Sequence, residues 1–384
     1  MIYKFYNKPE VYFLILIGFF LFLFFNNNFD LWKILIVPEF SILPDETFYD
    51  FRCLQHWAEL EKIFFDQSKS VYSFSEEIYG TRKVCILNHP RIWILISSLL
   101  NIKSEFFFIL TIYFLILIYI LFFIYQIKKF NSFFLVYFFF SGSSLLLIER
   151  GNNDIIIFLL LFLLTTVSHR ILKYFLFILT VILKIYPVFG IFYFFENKKS
   201  FKIIFSLSIL SIISFIIFYN DIYYLVKNTP VTGDISFGVK AIKLNILKHF
   251  NYSLNTLLMS IALVFVSLLI YIKFIRNFLS NETFVNENLF LLGSIIYISI
   301  FLLGSHFDYR LYILFFSIPM LININNKFIK FSSLVSIVIS VELHRLIYFF
   351  DFYGGVINNL GKIYLFIVLT SLTIDILLKK LNLR

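Results

Sequence analysis

The chain has 384 residues, of which 60% are hydrophobic and 15% charged, against roughly 25% charged in an ordinary soluble domain. Uncharged stretches of about 20 residues recur from end to end, each long enough to cross a hydrocarbon layer of about 30 Å. A water-soluble globule is therefore excluded, and an all-α polytopic membrane protein is implied. The net charge of +10 reads as Lys and Arg that set orientation, so no nucleic-acid partner is expected.

The first apolar run, 11–25, follows Lys4 and Lys8 and lacks a small-residue cleavage signal, so a retained first helix is expected. Further spans are expected at 85–102, 106–127, 130–148, 155–168, 173–195, 203–219, 254–272, 289–305, 308–322, 331–350 and 363–378, which makes twelve in one membrane domain covering 1–384. With the N-terminus inside, the segments assigned inside, 149–154 among them, hold fourteen Lys or Arg. The short outside segments, including 128–129 and 304–310, hold six. The bias places both termini in the cytoplasm of a plasma (inner) membrane protein, although Lys128 and Lys129 run against it. Two long segments, 26–91 and 220–252, become external loops.

Within the first loop, residues 44–65 carry Asp45 as a cap after Pro44, with Phe51, Leu54, Trp57, Ala58 and Phe65 at helical spacing. This is an amphipathic helix suited to the membrane surface, with Glu59, Glu61 and Lys62 as a solvated face. Asp45 and Asp50 fall just downstream of the first span, where a carboxylate can face a cavity and act as base toward a hydroxyl. Next comes Asn88-His89-Pro90-Arg91. Pro90 suits an entry turn, and Arg91 either meets a lipid phosphate or anchors the interface with Trp93. Cys53 and Cys85 share this loop and can bridge if it faces an oxidising compartment.

A charge inside a bilayer costs about 2.5–3.5 kcal/mol, so misplaced ionisable groups are functional candidates. The turn Glu149-Arg150-Gly151-Asn152-Asn153-Asp154 precedes an unusually short apolar run. It is either an ordinary cytoplasmic turn or a polar loop lining a cavity. Lys184 lies inside an expected span and needs an anion, with Glu149 as a candidate. Pro187, three residues later, should free the carbonyl of Leu183. His306, Asp308, Tyr309 and Arg310 bring an imidazole, a carboxylate and a guanidinium together, enough to orient an acid and bind a phosphate. Glu342 and Arg345 are explained by internal pairing. No compact His/Cys cluster is present, so no metal is expected, and no Gly-rich nucleotide loop occurs.

The order Asp50-Phe51-Arg52, Asn88 to Arg91, Glu149 to Asp154, Leu183-Lys184-Ile185-Tyr186-Pro187 and Asp308-Tyr309-Arg310 resembles membrane glycosyltransferases of the GT-C superfold. Within it the likeness is to glycosyltransferase family 87, which contains polyprenol-phosphate-mannose-dependent α-mannosyltransferases. The resemblance covers about residues 11–320, and His89 stands where the family's element has Tyr. It implies a GT-C bundle with the catalytic acid at Asp50. Asp45 competes, because other GT-C families place an Asp-Glu pair there, and His306 is a second active-site group. It implies substrate or phosphate contacts from Arg52, Asn88, His89, Arg91, Arg150, Asn152, Asn153, Asp154, Lys184, Tyr186, Asp308, Tyr309 and Arg310. The implied partners are membrane lipid, a polyprenyl-phosphate sugar donor and a lipid or glycan acceptor on the extracytoplasmic side, with no cofactor and with inversion at the anomeric carbon. Two other readings stay open. A polysaccharide polymerase or ligase would keep its essential acid in a later loop, and a secondary transporter would carry matching broken helices in two related halves.

Overall fold

The computed structural model describes residues 8–25, 50, 53, 90, 92–102, 104–228, 236–279, 282–304 and 306–383. Asp45, Arg52, Cys85, Asn88, His89 and Arg91, together with most of the expected surface helix 44–65, lie outside them.

The described chain is almost wholly helical. Among the described residues, four helices are long and apolar enough to cross a membrane: Glu105–Phe130, Lys198–Ile217, Thr256–Phe278 and Phe352–Lys380. A fifth is added if Phe133–Phe139 and Gly142–Arg150, bent by 44°, form one span. Large apolar side chains such as Phe205, Ile216, Leu257 and Phe265 stand 59–68% exposed on two of them, as expected of surfaces that meet lipid rather than water. The expectation of twelve spans is corrected, because apolar runs that look continuous in the sequence are cut by polar or helix-breaking residues. Among its described residues, the run 85–102 holds the eight-residue helix Ile92–Leu99. The run 308–322 is largely the 3-10 helix Asp308–Phe316. The run 331–350 breaks at Glu342, after the helix Lys327–Val341.

The run 173–195 is the most instructive. Lys184 adopts an extended backbone, φ −152° and ψ 141°, after the helix Arg170–Leu183. Pro187 then enters the first turn of a 3-10 helix, Tyr186–Phe194, where a missing N–H costs nothing. The chain turns back on itself, so that Tyr174 packs edge-on against Phe194 at 5.3 Å. The carbonyl of Leu183, freed as expected, accepts from the indole of Trp93 at 3.0 Å. Trp93 is fully buried and is not an interfacial anchor.

The helices shuttle between two ends of the bundle. Asp154 and Arg310 meet at one end. At the other, Lys129, Thr166, Tyr193, Glu287 and Lys380 border one cavity. The helix Asp154–Thr166 therefore starts at the first end and finishes at the second, and Glu287–Leu303 runs the opposite way. This overturns part of the expected topology: segments 149–154 and 304–310, assigned to opposite faces, share one end, and Lys128–Lys129 lies at the far end. Among the described residues of the expected span 85–102, the helix Ile92–Leu99 is too short to run the depth of the bundle, whereas 173–195 folds back at Lys184 and runs it twice.

The interior is aromatic. Phe158 meets Phe315 and Phe316 at 5.2 and 5.5 Å, and Phe123 meets Phe315 at 4.6 Å. Such offset and edge-on contacts add roughly 0.5–1.5 kcal/mol per pair beyond area burial.

Candidate functional site

The turn after the helix Gly142–Arg150 builds the first half of the site. Gly151 adopts φ 56° as the helix C-cap, and the Asn152 N–H reaches back to the Leu147 carbonyl at 3.3 Å, a Schellman-type stop that glycine allows. The Asn152 side-chain oxygen then accepts from the Asp154 N–H at 2.9 Å and opens the next helix. Three polar side chains thus leave one tight turn in fixed directions. Arg150 donates to one Asp50 oxygen at 2.7 Å, and Asn152 donates to the other at 2.7 Å. Asp50 is held from two sides while its side chain stays 21% exposed.

Asp154 forms the buried centre and is completely shielded. Lys184 Nζ lies 2.8 Å from its Oδ1, and the Tyr186 hydroxyl donates to the same oxygen at 2.6 Å. Arg310 Nε approaches Oδ2 at 3.3 Å. The Lys184 ammonium also donates to Asn153 Oδ1 at 2.7 Å. The extended backbone at Lys184 lets this side chain face the turn. The anion sought for Lys184 is therefore Asp154, not Glu149, whose Oε2 is buried with no hydrogen-bond partner among the described residues.

The other half comes from the chain after Leu303. Strand Ser236–Phe237 pairs antiparallel with His306–Phe307, with Phe237 opposite His306. Gly238 makes the close approach possible. It sits at φ +108°, and a Cβ there would lie 2.3 Å from the Gly304 carbonyl oxygen. The second long loop thus fixes the imidazole. Arg310 Nη1 contacts His306 Nδ1 at 2.5 Å. A guanidinium only donates, so Nδ1 must accept and His306 is the neutral Nε2–H tautomer. Burial first, and then the adjacent Arg310, pull its pKa down to about 3. An acid role at neutral pH is thereby disfavoured, and a positioning role is left.

Of the residues singled out from sequence, Asp50, Arg150, Asn152, Asn153, Asp154, Lys184, Tyr186, His306 and Arg310 form one connected network. Tyr309 is buried beside it, with the Arg310 guanidinium 6.0 Å from its ring. Asp308 points to a separate partner, Lys362, at 2.7 Å, and both are fully buried. Lys362 also donates to the Ser236 carbonyl at 3.3 Å, so this pair pins the small sheet. Lys362 and Tyr312, whose hydroxyl meets that of Tyr186 at 2.6 Å, went unrecognised in the sequence. The signal for Lys362 was its position at the head of an apolar run. Glu342 and Arg345 pair at 3.0 Å as expected. Cys53 is disulfide-bonded; Cys85, the chain's other cysteine, lies outside the described residues. No group of three metal-ligating side chains occurs among the described residues. Comparison with protein-family models, with curated proteins and with solved structures finds no match to this chain.

Proposed function

We propose that this chain is an integral-membrane glycosyltransferase of the GT-C kind, resembling family 87. In this reading it transfers a hexose, by resemblance mannose, from a polyprenyl-phosphate donor to a lipid or glycan hydroxyl. The observation that carries the proposal is convergence. Segments scattered across the sequence, 50, 150–154, 184–186 and 306–310, meet in one polar network at a single end of the bundle.

The chemistry follows from the charges. Three cations, Arg150, Lys184 and Arg310, gather around Asp50 and Asp154, with Glu149 beside Arg150, a set of donors suited to hold a lipid-linked phosphate. Asp50 is the exposed carboxylate, and each of its oxygens keeps a second lone pair. It takes the proton of the acceptor hydroxyl as that oxygen attacks the anomeric carbon. The bond from that carbon to the phosphate oxygen breaks, and the electron pair leaves with the lipid phosphate. Arg310 uses Nε and Nη1 within the protein, so Nη2 is available to the charge that grows on the leaving group.

Sidedness comes from the regrouped cations. Lys128, Lys129, Arg170, Lys173, Lys198, Lys199, Lys202, Lys273, Arg276, Lys327, Lys330, Lys379 and Lys380 fall at the end opposite the network. That is the cytoplasmic end by the positive-inside rule. The Cys53 disulfide supports an oxidising compartment at the network's end. The transporter reading is separated by the assay below, since broken runs occur in both halves, near Phe140 and Lys184 and again at Glu342. The test is incubation of membranes bearing the chain with labelled polyprenyl-phosphate sugars. Transfer that requires Asp50 supports the proposal. Transfer that requires only an acid of the second loop points to a polymerase or ligase.

A further inference from the structure

At the basic end of the bundle lies a cavity of about 530 Å³, bordered by Gln126, Lys129, Thr165, Thr166, Glu287 and Lys380 among others. It is separate from the proposed active site: the helix Asp154–Thr166 spans the distance between them, about 18 Å at 1.5 Å per residue. The size suits a polar headgroup or small ligand. Gln126 is 3% exposed, and its Oε1 has no hydrogen-bond partner among the described residues. A buried polar atom left unpaired costs about 1–3 kcal/mol, so its place on the wall of a cavity points to a ligand that supplies the missing bond. A hydroxyl both donates and accepts, so it satisfies the amide whichever way round it is turned.

The charge of the cavity selects the rest. Lys380 is 3.3 Å from Glu287 and donates to Asn288 Oδ1 at 2.6 Å, so its charge is balanced. Lys129, which has no ion pair among the described residues, adds one positive charge, its ammonium lying 5.3 Å from the Phe130 ring. One net charge matches a phosphodiester, with a single negative charge, better than a phosphate monoester with up to two. Basic pockets at the cytoplasmic end of membrane helices are suited to anionic headgroups. We propose that this cavity binds the headgroup of an anionic phosphodiester lipid bearing a free hydroxyl, with Lys129 on the phosphate, Gln126 on the hydroxyl, and Thr165 and Thr166 as further hydroxyl contacts. The assignment does not depend on the transfer chemistry.

The experiment uses the full chain in nanodiscs and native mass spectrometry to measure lipid retention. Three lipids are compared: phosphatidylglycerol, phosphatidylmethanol (the same charge without the free hydroxyl) and phosphatidic acid (a monoester). Phosphatidylglycerol should be retained about tenfold better than either, one charge-assisted or buried hydrogen bond. Gln126→Leu should bring phosphatidylglycerol and phosphatidylmethanol level. Lys129→Gln should weaken both about tenfold, with recovery in Lys129→Arg; none of these changes removes a described ion pair. Wild-type retention of phosphatidylglycerol in Lys129→Gln overturns the site. So does Lys129-dependent binding of soluble glycerol 3-phosphate, in discs of neutral lipid, as tight as that of phosphatidylglycerol.

Discussion

Arg150 reaches a hundred positions back along the chain to donate to Asp50 at 2.7 Å, and Asn152, on the far side of a left-handed glycine, takes the other oxygen of the same carboxylate. A carboxylate gripped this way is fixed in direction while it remains open to solvent on one side. That is the arrangement a base needs if it is to meet a hydroxyl at a set angle.

Asp50→Asn should therefore abolish sugar transfer, by a factor of roughly 10²–10⁴ or more. Expression should be kept and the melting temperature should fall only modestly, because the amide oxygen can still accept from Arg150 while the NH2 end of this 21% exposed side chain turns to water. Asp45→Asn should leave most of the activity. A radiolabelled transfer assay on both variants decides between the two carboxylates, and full activity in Asp50→Asn sinks the assignment.

Asp154 behaves differently because it is buried. With Lys184, Tyr186 and Arg310 all bound to it, Asp154→Asn leaves a buried ammonium without its counter-charge. Removing one partner of a buried pair costs about 3–5 kcal/mol. The single variant should melt far lower in detergent than Asp50→Asn does. Adding Lys184→Met should recover part of the loss, because the stranded charge goes with it. Strictly additive losses in the double variant would show that the two residues do not act as a pair.

How much of this was legible in the sequence follows from the physics of each feature. Local rules sufficed for Pro187, whose ring cannot sit inside a helix and whose freed carbonyl at Leu183 found a donor in Trp93. Cost arguments sufficed for Lys184 and for the polar turn 149–154, since neither fits an apolar run without a partner. Partner identity was not legible: Lys184 chose Asp154, 30 positions away, over Glu149 because the fold-back at 184–185 turns the ammonium toward the next helix start. Nor was topology. Hydropathy sees length but not depth, so the run 173–195, folded back at Lys184, and the run 331–350, broken at Glu342, each read as one simple span. Lys362 and Asp308 were each visible as charges, yet only the pairing of Ser236–Phe237 with His306–Phe307 brings their surroundings together.

Gly238→Ala tests that pairing. The new Cβ would sit 2.3 Å from the Gly304 oxygen and 3.0 Å from that of Phe301, in a backbone region that other residues enter at a cost of about 1–3 kcal/mol. The variant should lose stability by at least that much and lose transfer activity through displacement of His306. Gly355→Ala, where nothing lies within 4 Å, is the matched control. In a helix it should be neutral or stabilising by up to about 1 kcal/mol. Equal melting temperatures for the two variants would remove the small sheet from the account.

Sidedness is open to cysteine labelling in a background lacking Cys53 and Cys85. Lys199→Cys, exposed at the basic end, should resist a membrane-impermeant thiol reagent in intact cells and react after permeabilisation. Asn251→Cys, exposed after the helix Val239–Phe250, should react in intact cells. The reverse pattern would put the polar network on the cytoplasmic face and remove the extracytoplasmic donor from the proposal.

His306 gives the fold an acid limit. Its imidazole is neutral because burial and the Arg310 guanidinium pull the pKa to about 3, whereas in the unfolded chain it titrates near 6.5. Below pH of about 6.5 the unfolded chain binds a proton that the folded one refuses, so the contribution of this residue is complete above that pH. It is lost progressively as the pH falls toward 3, with a slope of at most about 1.4 kcal/mol per pH unit. His306→Gln keeps an acceptor for Arg310 but has no proton to take up. Melting temperatures measured from pH 7 to pH 4 should therefore fall more steeply in the parent than in His306→Gln, with the two curves converging in acid. Parallel curves would mean that the imidazole is not held neutral by the fold, and its place beside Arg310 would then have to be assigned to the protonated form.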